Sequence, residues 1–294
     1  MKRVLLLGVG GFIGKSLYEH LSQNNDLEIN APTFEQLNLL NESSVKLCLQ
    51  EKYYDVVINA AIYNPNIDPY SPIPEIEQDL RMFLILEKYH DLYDKMLYFG
   101  SGAEFDKTKD IVSVKEDDFI NELPKTQYGM AKYTIGRIIE KSDNIYSLRI
   151  FGLFGEKEGY RFKFISGACA KAVKNIPISI RQNVYFDYLY IKDFCRIVEW
   201  FIFNKPVYHT YNVCSGQKYS LLELASIVKE VSKKDIPIFV CKEGLATEYT
   251  ASNERLIVEM LNFSFTNIKV AIKHLYDYYK EKEDEIDLYH LLYQ

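Results

Sequence analysis

Gly8, Gly11 and Gly14 recur at spacing three directly behind the apolar run Val4–Leu7, and the helix-compatible stretch Phe12–Leu21 follows them. A buried strand, a tight glycine turn and a helix form the unit in which a backbone can approach a pyrophosphate closely. The free N–H groups and positive dipole end of the helix then face the phosphates. The turn predicts the first βα unit of a doubly wound sheet, with Gly8, Gly11, Phe12, Ile13 and Gly14 at the phosphate-binding bend.

The rest of the first half fits that start. Val4–Leu7, Leu27–Ala31, Val56–Ala60, Met96–Phe99 and Ile145–Ile150 read as buried strands, with helices near Ser43–Glu51, Glu75–Tyr89 and Tyr128–Lys141. Strands separated by helices of this length imply βαβ units and a parallel sheet covered on both faces. The second half is less regular: helices over Phe162–Lys174, Ile191–Phe203, Leu221–Ser232 and Ile268–Lys282, and strands at Pro177–Ile180, Tyr208–Val213 and Ile236–Val240. The expected fold is therefore α/β, a Rossmann-type doubly wound parallel sheet with a smaller C-terminal α/β domain. Residues 1–150 would form the dinucleotide-binding domain, with roughly 189–204 returning to it. Residues 151–188 and 205–294 would bind substrate.

Composition narrows the functional classes. At 294 residues with 48% hydrophobic content the chain can bury a large core, and a formal charge of −6 argues against a nucleic-acid partner. The five cysteines are scattered and never spaced C-x-x-C, which favours reduced thiols in a cytoplasmic protein over metal or redox sites. No secretory segment or membrane span is expected, and the five histidines match no metal spacing.

The chemistry-bearing pattern is Tyr128-Gly-Met-Ala-Lys132 with Ser101 upstream. Four residues along a helix bring two side chains onto one face. An ammonium beside a phenol lowers its pKa from about 10 toward neutrality, so the tyrosine can exchange a proton with a substrate oxygen. Ser101 follows a predicted strand, at the carboxyl edge of the sheet, where its hydroxyl can hold the same oxygen.

The set Gly8-x-x-Gly11-Phe12-Ile13-Gly14, Asn59-Ala60-Ala61, Ser101 and Tyr128-x-x-x-Lys132 resembles the extended short-chain dehydrogenase/reductase family, of the epimerase/dehydratase type. Tyr211-Asn212-Val213-Cys214-Ser215-Gly216 resembles its C-terminal strand and turn. The resemblance implies a nicotinamide cofactor across Gly8–Gly14, with Asn38, Leu39, Ala60 and Ala61 lining its path and Lys132 on the nicotinamide ribose. Ser101, Tyr128 and Lys132 would be the catalytic residues, and helices Glu75–Tyr89 and Tyr128–Lys141 would build a homodimer interface.

Within the family, the run Leu37-Asn38-Leu39-Leu40-Asn41 and Phe99-Gly100-Ser101 are similar to the GDP-L-fucose synthase-like 4-keto-sugar reductases. Ala103 stands where those enzymes carry an epimerising cysteine, and no histidine lies between Phe154 and Ile165. Gly102 and Ala103 replace the Asp-Glu pair of the sugar 4,6-dehydratases, although Glu104 follows one step later. The expectation is a C4 reductase of a nucleotide-linked 4-keto-6-deoxy sugar, with GDP as nucleotide, in surface-polysaccharide assembly. A 4-epimerase with retained NAD and a non-catalytic dinucleotide-binding protein are the alternatives. The arginines that would meet a 2′-phosphate fall at Gly10, Pro32 and Phe34, and no acidic residue ends the second strand; a biosynthetic reductase favours NADP(H) over NAD(H). Ser101, Gly102, Phe151, Arg161, Arg181 and Asp187 are the expected substrate contacts, Phe186 standing where the family's phosphate-binding arginine would be.

Overall fold

A computed structural model describes residues 1–63, 74–121 and 123–292 of the chain. Its contacts divide into two compact units, one of residues 1–108, 115–150 and 195–213, the other of 109–114, 151–194 and 214–294.

The first unit is built on a six-stranded parallel sheet. β1 (Lys2–Leu7), β2 (Leu27–Asn30), β3 (Tyr54–Asn59) and β4 (Tyr93–Ser101) are joined by the strands Ile145–Ile150 and Thr210–Val213. The order across the sheet is Thr210–Val213, Ile145–Ile150, β4, β3, β1, β2. Residues 4–7 of β1 are all buried, because helices cover both faces and leave no polar side to alternate toward. On one face Leu5, Leu7, Val57, Met96 and Tyr98 share a core with residues of α2 (Glu42–Glu51), α3 (Glu75–Lys88) and α4 (Gln127–Ile139). On the other, α1 (Phe12–Leu21) and the helix Ile191–Phe203 are tied by His20 Nε2 and Asn24 Nδ2 to the Glu199 carboxylate, at 2.8 and 2.7 Å.

Register decides what reaches the carboxyl edge. Leu7, Asn59 and Tyr98 lie abreast, so the glycine turn and Ala60–Ala61 emerge side by side. β4 runs further, and Ser101 pairs with Ile150, which pairs with Val213.

The second unit holds the helices Phe164–Val173, Leu221–Ser232 and Ile268–Glu281 and several short sheets. One is four-stranded, in the order Lys218–Ser220, Tyr185–Asp187, Tyr249–Ala251, Ile111–Val114; another pairs Ile178–Asn183 with Ile238–Leu245.

Several expectations need correcting. Thr210–Val213 belongs to the first unit's sheet, not to a substrate domain, because it pairs in parallel with Ile145–Ile150 and is wholly buried. Residues 109–114 leave the first unit to pair with Tyr249–Ala251. The helix Ile191–Phe203 has the expected bounds, but only its part from Cys195 clusters with the first unit. The strand expected at Ile236–Val240 runs over Ile238–Leu245, with an irregularity in its pairing between Lys242 and Leu245.

Candidate active site

The glycine turn is close-packed on backbone alone. Gly8 has φ +85°, and a Cβ there would lie 2.6 Å from the backbone of Ala60 and Ala61. A Cβ on Gly14 would lie 2.1 Å from the Gly8 carbonyl oxygen, so the first turn of α1 rests directly on the strand end. Gly11 occupies the N-cap, and no side chain caps the leading N–H groups of α1. This is a cradle that a phosphate-bearing ligand fits. Ala60 N–H donates to Leu7 O and Ala61 N–H to Asn59 Oδ1, fixing the neighbouring wall. Asn38 turns the chain after β2 through its Oδ1, which accepts from Leu40 N–H at 2.9 Å, while the Leu39 side chain is buried in the core.

Tyr128 and Lys132 stand in the first half of α4, whose N-cap is Thr126; the Thr126 hydroxyl oxygen accepts the Gly129 N–H. Gly129 is required there: a Cβ would meet the Ala103 carbonyl oxygen at 2.5 Å. The start of α4 is thereby seated on the turn that follows Ser101.

Lys132 is 3% exposed. Its Nζ donates to the Tyr98 hydroxyl and to the Phe99 carbonyl, each at 2.9 Å, and lies 5.7 Å from the centroid of the half-buried Tyr128 ring. Burial pushes the Lys132 pKa down to about 8, and the charges of Asp79 and Glu104 oppose that fall. Asp79 is itself buried on α3; its Oδ1 accepts the Tyr63 N–H at 2.7 Å, and burial raises its pKa. Ser101 Oγ accepts the Ala103 N–H at 3.1 Å, so a lone pair is engaged and the hydroxyl proton is left to donate elsewhere.

Tyr98, Asp79 and Glu104 around this cluster were not among the expected site residues. Only Glu104 had a visible signal: Ser101-Gly102-Ala103-Glu104 has the spacing of a capping box, which the structure forms.

Of the expected substrate contacts, Ser101 and Gly102 belong to the first unit and Phe151, Arg161, Arg181 and Asp187 to the second. Asp187 is 1% exposed and spends both oxygens on one turn: Oδ1 accepts the Ser215 N–H and hydroxyl, at 2.8 and 2.7 Å, and Oδ2 accepts the Gly216 N–H at 2.8 Å. It ties down the chain after Val213. Phe151 is fully buried against the Tyr249 ring. Arg161 and Arg181 are exposed, Arg161 with its charge felt by Asp287. Gly102 lies within the capped turn after Ser101.

A sequence model of the NAD dependent epimerase/dehydratase family matches residues 4–214. A GDP-6-deoxy-D-talose 4-dehydrogenase of Aggregatibacter actinomycetemcomitans is 24% identical over 292 residues, spanning 93% of this chain and 97% of its own. Among solved structures, a GDP-L-fucose synthetase of Naegleria fowleri bound to NADP superposes with a TM-score of 0.80 at 17% identity, covering 96% of this chain and 95% of that one. A GDP-mannoheptose C4 reductase of Campylobacter jejuni with NADP bound gives 0.77 at 18% identity, over 95% and 98%. With the solved structures the likeness is one of fold.

Proposed function

Since the chain belongs to the NAD dependent epimerase/dehydratase family, we propose that it is a cytoplasmic C4 reductase of a GDP-linked 4-keto-6-deoxy sugar, using NADP(H), in bacterial surface-polysaccharide assembly. The observation that carries this reading is the Lys132 ammonium, fixed by Tyr98 and Phe99 and standing 5.7 Å from the Tyr128 ring. A cation held beside the ring favours phenolate over phenol.

The backbone of Gly11–Gly14, beside Ala60 and Ala61, would hold the pyrophosphate of the cofactor. When bound, the nicotinamide supplies hydride to the keto carbon. Tyr128 gives its hydroxyl proton to the ketone oxygen, and Lys132 stabilises the phenolate left behind. The Ser101 hydroxyl donates a hydrogen bond to the same oxygen and holds it against Tyr128.

Two observations favour simple reduction over reactions that move a second proton. Ala103 has no acid or base group. The Glu104 carboxylate is fully buried and engaged by Ser101 N–H and Arg149, so it is not placed to act beside the ketone. The names of the similar proteins, a GDP-6-deoxy-D-talose 4-dehydrogenase and a GDP-mannoheptose C4 reductase, support GDP and position C4.

The test is absorbance at the reduced-nicotinamide band with NADPH and with NADH, offering GDP-, dTDP- and CDP-linked 4-keto-6-deoxy sugars. Oxidation of NADPH with the GDP sugar is expected. Silence with every ketone, together with NAD retained through purification, would replace the reductase with a 4-epimerase.

A further inference from the structure

Directly behind Ser101 lies a buried ion pair that neither gives nor takes a proton in the chemistry above. Glu104 and Arg149 are both 0% exposed. Arg149 donates through Nε to Glu104 Oε2 at 2.8 Å, and its Nη2 lies 2.8 Å from the same oxygen. The other oxygen, Oε1, accepts the backbone N–H of Ser101 at 3.0 Å. Arg149 Nη1 reaches the Glu116 carbonyl and Asn212 Oδ1, each at 3.2 Å, and Glu116 Oε1 accepts the Asn212 N–H at 2.9 Å. The Phe105 ring covers the guanidinium, 5.1 Å from its carbon. The pair is thus anchored to the neighbouring strands Ile145–Ile150 and Thr210–Val213, and its free end grips Ser101.

Such a pair is a poor way to gain stability. Burying each ion costs several kcal/mol, and a well-packed apolar pair often serves as well or better. What an apolar pair cannot do is accept the Ser101 N–H. Nor is the fit loose: a Cβ at Gly100 would stand 2.5 Å from Glu104 Oε1 and 2.6 Å from Ser147 Oγ.

We infer that Glu104 and Arg149 are positioning residues for Ser101. Glu104 fixes the Ser101 backbone, which holds Oγ in line to accept the Ala103 N–H and directs its one proton toward the substrate oxygen. Arg149 fixes Glu104. Neither touches substrate. The inference rests on the reading of Ser101 as the donor to the ketone oxygen.

The experiment is a double-mutant cycle of Glu104→Gln and Ser101→Ala, read as kcat and KM for ketone reduction, with amide hydrogen exchange over residues 100–105. A misplaced donor costs up to about 10²-fold in rate, so Glu104→Gln is expected to lower kcat tenfold or more and leave the KM for NADPH unchanged. Read well below pH 8, where Lys132 keeps its proton without help from the Glu104 charge, the same substitution should cost nothing further in the Ser101→Ala background, since nothing remains to position. The amides of Ser101 and Ala103 should exchange faster in Glu104→Gln than in the unaltered protein. A loss of equal size in both backgrounds would make Glu104 merely structural, and unchanged kcat or unchanged exchange would equally overturn the inference. If the unaltered enzyme reduces no ketone, the reductase reading fails, and the exchange measurement still decides whether Glu104 holds Ser101. Should Glu104→Gln not fold, Arg149→Lys, which keeps the buried charge but loses the two-pronged grip on Oε2, runs the same cycle.

Discussion

Lys132 on α4 donates to the hydroxyl of Tyr98, a strand residue three positions before Ser101, at 2.9 Å, with the ammonium 4.5 Å from the same ring's centroid. A lysine side chain is long and ordinarily loses much rotamer freedom when pinned. Here the pinning is done from the sheet, by Tyr98 and the Phe99 carbonyl, so the charge is set in place independently of any ligand. Its weak point is protonation, because burial brings the pKa down to about 8.

Ketone reduction is therefore expected to decline as pH rises through about 8, when Lys132 loses its proton. The negative charge of Asp79 favours protonated Lys132, so Asp79→Asn withdraws that support and moves the alkaline limb to lower pH. A pH profile of kcat for the two proteins checks this, and coincident limbs would refute it. Stability has a definite sign as well. The folded-state pKa of Lys132 is below its unfolded value, so the unfolded chain binds more protons between about 8 and about 10.5, and this residue's contribution to stability grows with pH across that window.

Tyr128→Phe removes the proposed proton donor while leaving the ring beside Lys132. Turnover should fall by about 10²–10⁴-fold, the usual worth of a positioned acid, with NADPH affinity nearly unchanged by fluorescence titration. Full activity would refute the proposed mechanism.

Gly14→Ala places a methyl 2.1 Å from the Gly8 carbonyl oxygen, which is backbone and cannot step aside cheaply. NADPH binding should weaken at least tenfold, and thermal unfolding should reveal an overpacking loss of about 1–3 kcal/mol. Unchanged affinity would mean that the dinucleotide does not rest on this turn.

Asp187→Ala deprives the Ser215 and Gly216 N–H groups of their shared acceptor. A loss of about 2 kcal/mol is expected, within the range for orphaned donors, with KM for the sugar unchanged. The pH dependence also carries a sign: burial pushes the Asp187 pKa up to about 6, above its unfolded value, so its contribution declines as pH rises from about 4 to about 6. That slope should vanish in Asp187→Ala; a raised KM with intact stability would return Asp187 to the substrate.

The parts of this molecule that could be read from sequence are those with local cause. The glycine turn is a matter of three nearby positions, and β1 and Ile145–Ile150 are long enough for their burial to show as apolar runs. The two- and three-residue strands at Leu153–Phe154, Tyr185–Asp187, Leu189–Tyr190 and Tyr249–Ala251 were not legible, because so few residues establish no periodicity. A charge inside the apolar strand Ile145–Ile150 made Arg149 conspicuous, yet its partner Glu104 lies 45 residues away and nothing local pairs the two. Tyr98 was hidden differently: in a buried strand a tyrosine reads as core, and its role at Lys132 arises from the helix packed above it. The turn that engages Asp187 was hidden in the same way as Glu104, since it lies 28 residues further along the chain.

The order of strands has a consequence for how the chain comes into being. The first strand made lies inside the sheet, between β2 and β3, whereas one edge strand, Thr210–Val213, is encoded after most of the chain. Until it leaves the ribosome, Ile145–Ile150 presents an unpaired edge, the kind that templates association between chains. Synthesis through Val213 is thus the earliest moment at which the nascent sheet can be closed on that side. A truncation upstream of Thr210 should yield a protein prone to aggregate during expression, even though the glycine turn, Ser101, Tyr128 and Lys132 are all present.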